Sequence, residues 1–121
     1  MKIEVHQINN TSIAEVVADT FVIKTSNDCI DLLGNLYYQN FDRIILHKEN
    51  VTPDFFDLKN GMAGEILQKF SNYRIRLAIV GDFHQFTSKS IRDFIYESNK
   101  AQHVNFLDSI DEALNVLSAN K

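Results

Sequence analysis

The chain contains few of the residues that build cross-linked, loop-rich or repetitive proteins. Its 121 residues include one cysteine, Cys29, one proline, Pro53, four glycines and no tryptophan. A single cysteine excludes an internal disulfide framework and is typical of proteins from reducing compartments. No internal repeat, low-complexity tract or linker interrupts the sequence. The length fits one domain, residues 1–121, which is large enough to bury a core without disulfides.

Long apolar runs are also missing. No stretch approaches the roughly 20 apolar residues that cross a bilayer, and residues 1–6 lack the apolar segment of a signal peptide. The net charge is −4 and the isoelectric point is near 5.5, so the chain has no overall attraction for nucleic acid or anionic lipid. We therefore expect a cytoplasmic protein that binds neither nucleic acids nor membranes.

The sequence carries no motif typical of catalysis or cofactor binding. Residues 61–64 lack the lysine and the serine or threonine of a P-loop, and they lack the strand–turn–helix context of a dinucleotide loop. Cys29 has no neighbouring base, and it fits a small core residue better than a nucleophile. We therefore predict no catalytic residues and no cofactor, which favours a protein that is not an enzyme.

The four histidines, His6, His47, His84 and His103, are scattered along the chain. A metal site would need ligands that converge from separate strand ends. His47 and His84 could meet in this way, with Asp82 or Glu49 as an oxygen ligand. The simpler interpretation is that these histidines are solvent-side residues at strand ends, so we predict no metal site.

Residues 43–82 form the best-defined unit of the sequence. Apolar strands at 43–47 and 76–81 flank an amphipathic helix at 61–71, which together predict one βαβ crossover. Neither strand alternates polar with apolar residues, which is typical of strands covered by helices on both faces.

The segments on either side predict the remaining strands and helices of the same sheet. Residues 2–8 and 13–17 indicate a hairpin, because the turn signal at 9–11 separates two extended patterns. The remaining helices are predicted at residues 26–40, 87–97 and 109–117, and the last strand is predicted at residues 103–107. The order predicts an α/β fold, with an N-terminal antiparallel hairpin followed by right-handed βαβ crossovers in one mixed sheet covered by helices. Ile3, Val5 and Ile8 are expected near the core, and almost complete burial is expected for Ile45, Leu67, Ile79, Phe94 and Leu114.

Polar residues follow the two central strands. Lys48 and Glu49 come after the first strand, and Asp82 and His84 follow the second. Ligands of open α/β sheets bind outside the carboxyl ends of the strands. This edge is the predicted alternative site, for a small ligand or an enzymatic reaction.

A second candidate surface lies where the central helix begins. Phe55 and Phe56 are neighbours on a one-turn helix, so we expect one ring to seal the core and the other to be partly exposed. The helix start presents free amide groups, and Lys59 adds a positive charge. Aromatic and methionine side chains are adaptable apolar contacts. The predicted partner surface therefore consists of Phe55, Phe56, Lys59, Asn60, Gly61 and Met62.

Several of these segments resemble the STAS domain of anti-sigma-factor antagonists. The segments are residues 44–46, the loop through Asp57, Gly61 at a helix start, residues 76–81, 91–94 and 108–114. The resemblance extends over about residues 42–117 in the order and spacing of elements. The whole chain is also similar to a small bacterial domain family without assigned activity, of which residues 60–63 and 82–83 are typical. Both resemblances imply a STAS-like fold.

The resemblance also indicates what the chain lacks. In STAS antagonists the partner kinase phosphorylates the serine just before the glycine at this helix start. Asn60 occupies that position here, and an asparagine side chain cannot accept a phosphoryl group. The resemblance therefore implies a non-enzymatic regulatory or protein-interaction module without the phosphoacceptor serine. Its partner would be another protein, with a homodimer as a further possibility.

Overall fold

The computed structural model describes residues 1–101 and 103–119, and all structural statements refer to these residues. The strands are β1 (Lys2–Ile8), β2 (Thr11–Val17), β3 (Arg43–His47), β4 (Arg76–Val80) and β5 (Val104–Leu107). The helices are α1 (Ser26–Tyr38), α2 (Met62–Asn72), α3 (Lys89–Ala101) and α4 (Ile110–Ser118). Short 3₁₀ turns occupy Lys48–Asn50, Pro53–Phe56 and Leu58–Asn60. None of the described helices is long and apolar enough to cross a membrane.

The strands form one mixed sheet in the order β1-β2-β3-β4-β5. β1 pairs antiparallel with β2, and β2 to β5 are mutually parallel neighbours. The predicted combination of an N-terminal hairpin with a following parallel sheet is confirmed.

The hairpin turn depends on two asparagines. Asn9 and Asn10 have φ angles of 52° and 64°, which place both in the left-handed region. Two-residue turns of this kind match the twist of the flanking strands, and asparagine tolerates the conformation well. β1 is the edge strand of the sheet, and Val5 is 53% exposed, so the expectation that Val5 lies near the core is wrong.

The two faces of the sheet are covered unequally. Helices α1, α2 and α3 pack on one face and share a large apolar cluster with it. Helix α4 packs on the other face, where Ala113 and Leu117 contact Ile13, Ile45 and the β4 residues of that face. The Nε of Arg43 donates a hydrogen bond of 2.8 Å to the carbonyl of Leu117, which ties the end of α4 to the start of β3.

The core agrees with the sequence pattern in the strands better than in the helices. Ile45 and Ile79 are buried, as predicted. Leu67, Phe94 and Leu114 are only partly buried, so the prediction of almost complete burial is wrong for these three. Each packs against an apolar cluster from its margin, because a single layer of helices leaves the flank of each apolar stripe open to solvent.

The helix ends use local hydrogen bonds. Thr25 caps α1, and its hydroxyl and backbone amide form reciprocal bonds with Asp28. At α4 the Ser109 hydroxyl accepts from the amide of Glu112. The Glu112 carboxylate accepts from the amide of Asp108.

Candidate functional site

The carboxyl ends of β3 and β4 lie side by side, because His47 pairs with Val80 in the register of these strands. Lys48 and Gly81 follow directly. A Cβ atom on Gly81 would lie 2.5 Å from the Cβ of Lys48, so the absence of a side chain at Gly81 lets Lys48 pass closely. The Nζ of Lys48 lies 5.3 Å from the centre of the Phe86 ring, a cation–π contact.

A cavity of about 530 Å³ opens at this edge. Its walls combine apolar and polar side chains, with apolar area predominating. The lining residues are Phe21, His47, Lys48, Glu49, Val51, Pro53, Phe56, Val80, Gly81, Asp82, Gln85 and Phe86. A volume of this size and an apolar wall with few polar groups are typical of small-molecule sites.

Three of the four residues predicted at the ligand-binding edge line this cavity, namely Lys48, Glu49 and Asp82. His84 does not. It lines a neighbouring cavity of about 480 Å³ together with Arg92. The structure therefore brings three of these residues together and places the fourth beside them.

Asp82 and His84 form a local pair. The backbone amide of His84 donates to Oδ1 of Asp82 over 2.9 Å, and Nδ1 of the same histidine lies 3.0 Å from that oxygen. The hydrogen bond from the His84 backbone amide is the main cause of the lowered pKa of Asp82. The His84 side chain and Lys48 make smaller contributions. Asp82 is therefore an ionised carboxylate at the rim of the cavity, and its negative charge is opposite in sign to the charge of Lys48.

The rings of Phe55 and Phe56 are both buried, with 1% and 8% of their surface exposed. The expectation of one partly exposed ring is wrong. Phe56 stacks on Phe86 with ring centres 4.8 Å apart, and Phe55 meets Phe56 edge-on at 4.9 Å. Met62 is also buried. These three members of the predicted partner surface therefore belong to the apolar core cluster and are not exposed.

Sequence reasoning missed the aromatic residues that complete the cavity. Phe21, Phe56 and Phe86 come from three separate segments, and Phe83 packs beside the last two at the same edge. The available signal was Phe83 and Phe86 just after a buried strand, where polar loop residues are usual.

The start of α2 presents a polar, hydrogen-bonded loop. Lys59, Asn60 and Gly61 are exposed. The Asn60 carbonyl oxygen Oδ1 accepts from the amide of Met62 over 2.9 Å, and its Nδ2 donates to the carbonyl of Asp54 over 2.8 Å. Gly61 has a φ of 77°, a conformation that favours glycine. Asn60 therefore ties the start of α2 to the 3₁₀ turn at Pro53–Phe56 through two side-chain hydrogen bonds.

A further polar cluster lies on the α4 face of the sheet. Glu15 is 7% exposed, and its two carboxylate oxygens contact Nε2 of His6 at 2.8 Å and Nε2 of His47 at 2.7 Å. Burial raises the pKa of Glu15, but the hydrogen bonds and charges of His47 and His6 outweigh it and lower the pKa overall. The sequence signal was a glutamate inside an apolar strand. His47 therefore contacts Glu15, whereas His84 contacts Asp82. The convergence of these two histidines on one metal site, which the sequence allowed, is not observed.

Comparisons with known proteins agree with this architecture. The model of a family described as a domain of unknown function, DUF4180, matches residues 8–117. A solved structure from Thermotoga maritima, described as a "putative anti-sigma factor antagonist", is similar with a TM-score of 0.50 and 12% sequence identity. The similarity covers 97% of this chain and 95% of that chain. No curated protein matches the sequence. At this identity the likeness concerns the fold alone, and the predicted STAS-like fold is confirmed.

Proposed function

The chain belongs to the DUF4180 family, and we propose that it is a non-enzymatic regulatory module of the cytoplasm that binds a protein partner through the start of α2. The observation that carries this proposal is the exposed loop of Lys59, Asn60 and Gly61, which two Asn60 hydrogen bonds hold in one conformation. A pre-organised loop loses little conformational entropy on binding.

The position of the loop also supports the proposal. The solved structure with the same fold is described as that of an anti-sigma factor antagonist. In the STAS resemblance this loop carries the phosphorylated serine, and Asn60 cannot accept a phosphoryl group. Binding at this loop is therefore independent of phosphorylation.

The burial of Phe55, Phe56 and Met62 gives the contact a polar character. These side chains lie in the core cluster, so direct contact falls to Lys59, Asn60 and Gly61, with the exposed Asp54 and Asp57 alongside. Polar contacts of this kind contribute more to specificity and association rate than to affinity.

Site-specific photo-crosslinking in the native cell tests the proposal. A photoreactive residue at Lys59 should capture a protein that the same group at Asn115, exposed on α4, does not capture. Asn60→Asp should then weaken binding of the captured protein, because it removes the donor to Asp54 and adds a charge within the contact. Asn115→Asp adds the same charge outside the loop, and binding should be unchanged.

Two results would overturn this function. One is identical capture from positions 59 and 115, and the other is equal affinity of wild type and Asn60→Asp in proteins of equal stability. Light scattering of the purified chain decides whether the captured partner is a second copy, since a homodimer would then be present without other proteins.

The cavity at the carboxyl edge favours a second candidate function, the binding of a small ligand. Its aromatic wall and the opposed charges of Lys48 and Asp82 fit a compact, partly apolar molecule with a polar group. A thermal-shift screen against metabolites should then yield a stabilising compound, and Lys48→Met should abolish the shift. Wild type without any hit, or a hit unaffected by Lys48→Met, would count against this candidate.

A further inference from the structure

Four side chains that carry metal-ligating atoms meet on the α4 face of the sheet, at the side of β1. Glu4 and Glu15 are direct partners in the β1–β2 register, and His6 lies two residues along β1 on the same face. His47 reaches the same place from the end of β3. Helix α4 contacts β2, β4 and β5, and the side chains of His6 and His47 remain 27% and 22% exposed.

The ligand atoms are already close together. Glu4, His6 and Glu15 each place one nitrogen or oxygen atom within 4.8 Å of the others. Zinc lies about 2.0–2.2 Å from nitrogen and oxygen ligands, and in tetrahedral geometry two such ligands are about 3.4 Å apart. Completing the site would close the outermost pair of ligand atoms by up to about 1.4 Å and open the 2.8 Å contact between His6 and Glu15 slightly. The Glu4 side chain is 44% exposed and can supply this movement.

The charges of this cluster favour a cation. Two carboxylates directly opposite each other on neighbouring strands repel, and such pairs destabilise a sheet. Lys2 lies 3.4 Å from Glu4 in an exposed ion pair, where solvent weakens its effect. Glu15 is 9% exposed at its side chain, so its charge is largely shielded from water. A dication between the two carboxylates would remove the repulsion.

We propose that Glu4, His6 and Glu15 bind a divalent transition-metal ion of the zinc class. One imidazole and two carboxylates form a mixed nitrogen and oxygen set, which suits zinc better than the all-oxygen sets of calcium or magnesium. The cluster meets solvent through Glu4 and His6, so a water molecule can complete the coordination.

His47 is a positioning residue for this site. Its Nε2 contacts Oε2 of Glu15, and the other oxygen, Oε1, faces His6. Ligating carboxylates are commonly held in this way by a second hydrogen bond, and loss of such a partner costs about 10–100-fold in metal affinity. His47 thus turns Oε1 of Glu15 towards His6.

The test is a zinc titration of the untagged, chelator-treated full chain by calorimetry. Wild type should bind one zinc ion per chain. His6→Ala should weaken binding by more than the 10–100-fold expected for an outer partner, and Glu4→Gln should weaken it measurably. His103→Ala removes an exposed histidine outside the cluster and should bind as wild type does. Unfolding curves recorded in chelator establish whether each variant is folded. If His6→Ala is not folded, the comparison of Glu4→Gln with wild type decides the test.

The role of His47 has its own readout. His47→Ala should weaken zinc binding by about 10–100-fold, and His47→Gln should recover part of the loss, because its amide can donate to Glu15. The absorption spectrum of bound cobalt should stay the same in both variants, since the ligands are unchanged. The absence of saturable binding to wild type would overturn the proposal. So would equal affinity in His6→Ala, Glu4→Gln and wild type.

Discussion

The two faces of the sheet differ in the kinds of residues that strand β2 places on them. On the face covered by α1, α2 and α3, β2 contributes the buried apolar residues Ala14 and Val16. On the face covered by α4, the same strand contributes Ile13 below the helix and Glu15 beside it. The amount of helical cover therefore decides where polar groups persist, because a fully covered face excludes the water and partners that a carboxylate needs.

Removing a side chain from the fully covered face should have the largest effect. Ile79→Ala should lower the free energy of unfolding by about 2–5 kcal/mol, because Ile79 is 1% exposed and a cavity remains after truncation. Urea denaturation measures the loss. Leu114→Ala on the α4 face is the control, and a smaller loss is expected because Leu114 is only partly buried. Equal losses would show that both faces are packed alike.

Removing the carboxylate from the α4 face should have an intermediate effect. Glu15→Ala in the presence of chelator should cost about 1–3 kcal/mol, since His6 and His47 lose their common partner. Glu4→Ala should change stability by less than about 0.5 kcal/mol, because its side chain is exposed. If thermal unfolding ranks Glu4→Ala above Glu15→Ala, the buried carboxylate is not the centre of this cluster.

Loss of a helix cap should lower the stability of the protein by the same amount on both faces of the sheet. Thr25→Ala at α1 and Ser109→Ala at α4 each remove one hydroxyl that accepts from a first-turn amide, over 3.2 Å in both cases. Each should lower stability by about 1 kcal/mol, because capping is a local interaction. Thr25→Ser keeps the acceptor and should restore most of the loss. A clear difference between the two alanine variants would show that tertiary cover modifies the caps.

The smallest effect concerns the thiol buried on the three-helix face. Burial, with a smaller contribution from Asp28, raises the pKa of Cys29 to about 12. The folded thiol therefore stays protonated at pH values where the unfolded chain ionises. Stability from this source is complete below about pH 8.5 and falls as the pH rises towards 12, by less than about 1 kcal/mol at pH 9.

The difference in unfolding free energy between wild type and Cys29→Ala isolates this effect from other titrating groups. It should shrink between pH 8 and pH 10. Iodoacetamide should label Cys29 slowly in native protein and quickly in urea. Rapid labelling of folded protein would contradict the burial of the thiol.

The central strands and the helix that joins them could be predicted because their signals are local. Residues 44–46 and 77–80 are uninterrupted apolar runs, and the stripe of α2 repeats with helical period. The signal of the asparagine turn is equally local. Predictions failed where burial depends on what lies opposite, as at Val5 on the sheet edge and at Phe94 on the margin of α3.

The candidate sites divide in the same way. Lys48, Glu49 and Asp82 could be predicted to share one edge, because the ends of parallel strands meet there. The aromatic wall of that cavity was not predictable, since Phe21 and Phe86 lie far apart in the sequence. The exposure of Asn60 followed from its turn position, whereas its bond to Asp54 depends on the path of the whole loop.

The sequence by itself determined which segments are strands and helices, which strand ends carry polar residues, and that an asparagine precedes the glycine at the start of α2. Only the tertiary structure decided that Glu4, His6, Glu15 and His47 converge. Secondary structure follows from the periodicity of neighbouring residues. The convergence depends on the hairpin register and on the pairing of β2 with β3, two strands separated by a helix, and on α4 leaving that part of the sheet accessible.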